Sequence, residues 1–229
     1  MTAQSCPSPN CGPRRGGAQP DMVVLHYTAM PSAEAALERL CDPSAEVSAH
    51  YLIAEDGRLF HMVAEELRAW HAGAGHWGDV SDVNSRSIGI ELANTSTAPF
   101  PEPQMATLER LLTGILSRWS IPPERVIGHS DMAPARKSDP GRRFDWRRLA
   151  RAGLSVWPHP GRAPAPDEAA FRAALQAFGY GGEHPTDLLL DALRQRFRPW
   201  AEGPLAAADM AVALDLARRF PVDRDPGST

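Results

Sequence analysis

Residues 101–141 read PEPQMATLERLLTGILSRWSIPPERVIGHSDMAPARKSDPG, and the pattern within them changes character more than once. Met105, Leu108, Leu111, Leu112, Ile115, Leu116 and Trp119 recur at three- and four-residue steps, which predicts an amphipathic helix over 103–119 with one buried stripe. Pro122 and Pro123 stop it, because proline lacks an N–H and its ring clashes with the preceding turn. Val126 and Ile127 then open a short apolar run of strand character, which breaks at Gly128 into a polar loop. A helix that passes through a proline stop into a strand is a unit of an α/β fold. The loop carries His129, Lys137 and Asp139, yet it buries little and extends no helix. An incidental histidine on a polar surface loop is the plain alternative, so any further ligands must come from elsewhere in the chain.

Upstream, MVVLHY at 22–27 is a β-branched run of strand length, with His26 near its C-terminal end. Residues 32–40 read as a helix with Ser32 as N-cap and Ala36, Leu37 and Leu40 on one face. SAHYLIA at 48–54 is a second strand, Gly57 ends the turn after it, and 59–63 would be its hairpin partner. Alternation turns Tyr51 toward one face and His50 toward the other. A Gly- and polar-rich loop extends from Ala69 to Ser85, long enough to be functional. SIGIEL at 87–92 is a third strand in which Ile88, Ile90 and Leu92 share one face while Glu91 points to the other. A glutamate on a solvated face is the ordinary reading; on a cleft wall it becomes a candidate general base. A short helix over 144–152 completes a mixed central β-sheet flanked by helices.

Downstream, WPHPGRAPAPD at 157–167 is a proline-rich linker. It separates a main domain, 21–157, from three helical patterns at 168–178, 186–197 and 207–220. The full division is an extended N-terminal arm at 1–20, the main domain, a linker at 158–166, a small three-helix domain at 167–221 and a tail at 222–229.

Composition narrows the partners. The chain has 229 residues, 43% of them apolar, and a formal net charge of -4, which gives no reason to expect nucleic acid or an anionic membrane. The 22 prolines and 18 glycines are spread out, which suits a loop-rich globular protein. No apolar run reaches the length of a membrane span. The first twenty residues contain no apolar h-region, and Cys6, Cys11 and Cys41 read as thiols of a reducing compartment, with a Cys6–Cys11 disulfide unsupported. The expectation is a cytoplasmic protein, with a periplasmic or wall-associated one as the alternative.

His26, His129 and Asp139 each lie at or just after a strand end, so three segments could converge on one side of the sheet. Two imidazoles and a carboxylate leave a fourth tetrahedral position open, the pattern of a catalytic zinc site, and no thiolate competes for it. Histidines bonded within a core are the competing explanation.

Taken in order, HYTA at His26, SAHYLI around Tyr51, AWHAG at His71, SIGIELAN at Glu91 and IGHSDMAPARKSDPG at His129 resemble the zinc-dependent N-acetylmuramoyl-L-alanine amidases of the AmpD/AmiD type. FDWRRLARAGLSVWP after the loop and QRFRP in the C-terminal helices are similar to the AmiD branch, whose helical domain is of the peptidoglycan-binding type. The resemblance implies His26, His129 and Asp139 as zinc ligands. It implies Glu91 as the group that takes a proton from the zinc-activated water and hands it to the leaving amine, and Lys137 as the group that stabilises the oxyanion. Tyr51, His71 and Asn94 would contact substrate, a muropeptide or peptidoglycan, with support of the ligand residues as the alternative for Tyr51 and His71. Asn84 flanks the Glu91 strand and could do the same or hold a turn. His61, His76, His159 and His184 are read as ordinary residues. A recognition module without catalysis on the same fold, or an interaction protein with buried histidines, are the rival readings.

Overall fold

The computed structural model describes residues 2–162 and 164–222. In chain order the strands are β1 (Gln4–Ser5), β2 (Cys11–Pro13), β3 (Met22–Tyr27), β4 (Tyr51–Ile53), β5 (Leu59–His61), β6 (Leu67–Ala69), β7 (Ser87–Leu92) and β8 (Val126–Gly128). The helices are α1 (Ala33–Cys41), α2 (Val83–Arg86), α3 (Glu102–Trp119), α4 (His129–Met132), α5 (Trp146–Arg151), α6 (Glu168–Phe178), α7 (Thr186–Phe197) and α8 (Ala207–Arg219).

MVVLHY and SIGIEL pair in parallel at the centre of a six-stranded mixed sheet of order β1-β5-β4-β7-β3-β8. Strands β4, β7, β3 and β8 are parallel, β5 returns antiparallel to β4, and β1 joins β5 in parallel. The period-two alternation fills both faces. Val23, Leu25, Ile88, Ile90, Leu92 and Val126 pack against Met105, Leu108, Leu111, Leu112 and Ile115 of α3, the stripe expected from the sequence. Leu108 is fully buried there, and its truncation to alanine would cost ~2–5 kcal/mol.

On the opposite face two separate clusters form. Leu52 and Phe60 pack under Ala33, Ala36 and Leu40 of α1, whose Ser32 cap accepts from the Ala35 N–H as expected. Met22, Val24 and Ile127 pack with Phe171, Leu175, Phe178, Leu193, Phe197 and Leu216 of α6, α7 and α8. The three C-terminal helices, read from the sequence as a small domain, therefore share one core with the sheet. Between the two clusters the C-terminal ends of β3 and β7 stay uncovered, the place where parallel sheets commonly bind ligands.

The arm is more structured than an extended segment. It contributes β1 to the main sheet and β2 to a two-stranded sheet with β6, a strand that ends at Ala69, where the stretch read as loop begins. Arg14 buries its guanidinium and donates to the carbonyls of Glu65, Asn84, Ser85 and Ser87. Cys6 meets Cys41, not Cys11, with the sulfurs 3.7 Å apart. Among the described residues no helix is long and apolar enough to cross a membrane. Of the tail expected at 222–229, all but Val222 lies outside the described residues.

Candidate metal centre

His26 and Glu91 are register partners across β3 and β7, so pairing alone sets their side chains next to each other on the same face. His129 begins α4 directly after β8, and Asp139 closes the loop that follows. The Ser130 N–H donates to the Asp139 carbonyl at 2.9 Å, which ties the two ends of that loop together. A side chain on Gly128 would meet Pro140 Cδ at 2.8 Å, so only glycine lets the strand end and the loop close up.

The hydrogen bonds fix which ring nitrogens face inward. The Ser87 hydroxyl donates to the Val83 carbonyl at 2.6 Å, which leaves its oxygen to accept from His71 Nε2–H at 3.2 Å. His71 Nδ1 then accepts from His26 Nε2–H at 3.0 Å, and His26 Nδ1 is left with a lone pair. His129 Nε2–H donates to the Ala72 carbonyl at 2.8 Å, so its Nδ1 also carries a lone pair. These two nitrogens are 2.9 Å apart, and Asp139 Oδ2 lies 2.9 Å from one and 3.1 Å from the other.

Three electron-rich atoms in mutual contact with no proton between them repel, and a cation among them removes the conflict. The separations are close to the edge of about 3.3 Å expected for a tetrahedron with metal–nitrogen bonds of ~2.0–2.1 Å. His26, His129 and Asp139 are all buried and could hold a metal ion. The donor set fits the metal that the sequence implies. Burial and the neighbouring His129 push the His26 imidazole down to about 4, which keeps it neutral and ready to ligate.

A cleft of about 620 Å³ opens over these atoms, lined also by Glu91, Lys137 and Arg39. Glu91 Oε2 is buried without a partner. Burial first, and then Asp139, hold its carboxyl well above the usual range, with Lys137 working in the other direction. Lys137 is exposed on the rim. A second groove of about 690 Å³ between α5 and α8 contains none of these groups.

Two of the substrate contacts expected from the sequence, Tyr51 and Asn94, are absent from the lining of the cleft that holds Glu91, and the third, His71, is part of it. Tyr51 packs on the α3 side of the sheet, opposite Glu91, and donates to Glu65 Oε1 at 2.7 Å. His50 takes the other face: its Nδ1 accepts from the Gly89 N–H at 2.9 Å and its Nε2–H donates to Leu67 O at 3.1 Å. The strand is shorter at its start than expected, and its pairing with β7 decides the facing. Asn94 shapes its own turn, with its side chain bonded to the Ser96 N–H and the Ala98 carbonyl. His71 lines the cleft and spends both ring nitrogens on His26 and Ser87, which holds the His26 ring in place.

Two supporting groups have roles that the sequence reading did not assign. Asn84 Oδ1 accepts from the His71 and Ala72 N–H groups at 3.0 and 2.8 Å and thereby holds both the His71 ring and the Ala72 carbonyl in place. Arg136 donates to the same Ala72 carbonyl at 2.8 Å. Arg136 lies in a quoted motif and Asn84 three residues before one, but the long-range partners that give them a role have no signature in sequence.

The N-acetylmuramoyl-L-alanine amidase family model matches residues 16–142, from the end of the arm through the metal loop. This chain belongs to that family. The amidase is 33% identical to N-acetylmuramoyl-L-alanine amidase AmiD of Escherichia coli, over 88% of this chain and 84% of AmiD. The solved complex of the E. coli enzyme with anhydro-N-acetylmuramic acid-L-Ala-D-gamma-Glu-L-Lys covers 97% of this chain and 94% of its own at a TM-score of 0.82. The 1,6-anhydro-N-acetylmuramyl-L-alanine amidase AmpD of Enterobacter cloacae is 34% identical over 65% of this chain and 89% of its own length. The AmiD likeness thus runs through most of the amidase, and the AmpD likeness through about two thirds of it.

Proposed function

We propose that this amidase hydrolyses the amide bond between the lactyl group of N-acetylmuramic acid, or its anhydro form, and L-alanine of the peptidoglycan stem peptide, with zinc as its metal. The observation that carries this is the convergence of His26 Nδ1, His129 Nδ1 and Asp139 Oδ2 beside the unpartnered carboxylate of Glu91. Two imidazoles and one carboxylate without thiolate suit a hydrolytic zinc that keeps a coordination position free. When bound, the metal would supply a Lewis acid for the scissile carbonyl and lower the pKa of the attacking water.

Glu91 takes the proton of that water and delivers it to the leaving nitrogen. A nearby dication and Lys137 favour the ionised carboxylate needed for the first task, and burial favours the neutral acid that forms and then gives the proton up. Lys137, exposed on the rim and two residues from Asp139, stabilises the negative charge that develops on the carbonyl oxygen.

We assign the chemistry to residues 21–157 and contact with polymeric wall to the helices of 167–221, joined by 158–166. The extent of the AmiD likeness supports that division. For the compartment the free thiols Cys6, Cys11 and Cys41 support the cytoplasm, where the substrate would be a soluble anhydromuropeptide. Wall contact by the helices belongs to the periplasmic or wall-associated alternative. A periplasmic pool in fractionated cells would overturn the cytoplasmic reading.

The deciding experiment is a digest of intact wall and of soluble anhydromuropeptides, with and without a zinc chelator, read by mass spectrometry. Chelator-sensitive release of peptides with a free L-alanine amine is the expected result. Protein that holds zinc yet cleaves neither would be a recognition module.

A further inference from the structure

The α4 turn that presents His129 is anchored from an unexpected direction. Asp131, two residues past that ligand, is 1% exposed, and Arg196 of α7 is 2% exposed. Asp131 Oδ2 accepts from the Gly128 N–H at 2.8 Å and from Arg196 Nη1 at 2.6 Å. Its Oδ1 accepts from the hydroxyl of Tyr180, just past α6, at 2.6 Å. Arg196 Nη2 donates to the Val126 carbonyl at 2.9 Å, so one guanidinium grips both the first residue of β8 and the turn beyond its last. The guanidinium is centred 4.3 Å from the Trp146 ring, which fixes its plane.

A buried ion pair seldom stabilises a fold more than an apolar pair of the same shape, so its position is the informative part. This pair acts on a single turn, and that turn holds two ligand segments: His129 through the chain and Asp139 through the Ser130 N–H. A carboxylate with three donors and two oxygens has little freedom to tilt, and neither has the turn built on it.

We propose that Arg196 and Tyr180 are positioning residues of the metal centre, holding Asp131 so that His129 and Asp139 meet His26 at ligand distance. The C-terminal helices are then part of the metal site as well as a surface for the wall. The inference rests on the metal-centre reading given above.

The test is zinc affinity of the full chain, measured by competition with a chromogenic chelator, for wild type, Tyr180→Phe and Arg196→Lys. Melting temperatures of the metal-free proteins are recorded alongside. Tyr180→Phe deletes one hydroxyl and keeps the shape. It is expected to lose zinc affinity by on the order of 10-fold, as for removal of a group that supports a ligand, with the metal-free melting temperature within about 3 °C of wild type. Arg196→Lys is expected to lose more affinity, and Phe171→Leu, which loosens the same helices away from Asp131, to lose none. Zinc affinity within twofold of wild type in both Tyr180→Phe and Arg196→Lys overturns the inference. So does a loss that Phe171→Leu reproduces at equal melting temperature. A wild-type chain that binds no zinc overturns the metal-centre reading itself, which separates the two failures.

Discussion

His26 and Glu91 face the cleft as direct neighbours because β3 and β7 pair in parallel with these two residues in register. The proposed ligand and the proposed base are therefore held by backbone hydrogen bonds of the sheet centre. A one-residue slip would turn Glu91 into the α3 core, where a carboxylate has no partner.

Glu91→Gln keeps the shape and removes the proton acceptor. Turnover is expected to fall by about 10²–10⁴-fold, with zinc content unchanged by metal analysis. Full activity in Glu91→Gln would remove it as the base.

Lys137→Ala removes an exposed side chain that supports no packing. The expected loss is about 10²–10³-fold in kcat with KM little altered, the signature of an interaction made only in the transition state. A change confined to KM would assign Lys137 to substrate binding.

His71 and Gly89 form a matched pair, because a Cβ on Gly89 would lie 2.4 Å from His71 Cγ. Gly89→Ala must displace the ring and with it the hydrogen bond that orients His26. Zinc affinity is expected to drop by about 10–100-fold in either Gly89→Ala or His71→Ala, read by chelator competition. Unchanged affinity in both variants would rule out the orienting role.

Zinc removal leaves two lone pairs and a carboxylate in mutual contact. Restoring zinc at about a hundred times its Kd should stabilise the fold by ~2.7 kcal/mol and raise the melting temperature by roughly 5–10 °C. Calorimetry with and without chelator would detect the shift, and its absence would mean that the ion does not bind the folded chain.

His50 gives a pH dependence whose sign is fixed. Burial, set against the bond to Leu67 and aided by Arg14, pushes its imidazole down to about 3. Because the folded value lies below the ordinary one of about 6.5, the unfolded chain takes up the proton first as pH falls. Stability is whole above about pH 6.5 and is lost progressively toward pH 3. Denaturant midpoints at pH 7, 6 and 5 should fall more steeply for wild type than for His50→Gln, whose side chain does not titrate. Parallel slopes would assign the acid sensitivity to other groups.

Much was legible before the fold was known. The α3 stripe, the Ser32 cap and the spans of α6 and α7 follow from local periodicity and capping, which depend on residues a turn apart. The facing of Glu91 followed from strict alternation in SIGIEL, and the structure keeps it. Alternation held, with Tyr51 and His50 on opposite faces, but pairing of Tyr51 with Ile90 of β7 decided which of them faces the α3 core, and alternation alone does not say that. Asn94 looked available because its partners lie within its own turn and leave no pattern in the chain.

The sequence by itself determined the α/β class and the family motifs, and through the resemblance it proposed the ligand, base and cation side chains, since these are carried by residue type and motif order. Only the tertiary structure decided that His26, His129 and Asp139 meet, that His71 lies behind His26, and that Arg196 reaches Asp131 from the C-terminal helices. Those contacts span tens of residues and arise when strand register and a shared core bring distant segments together, which no local pattern encodes.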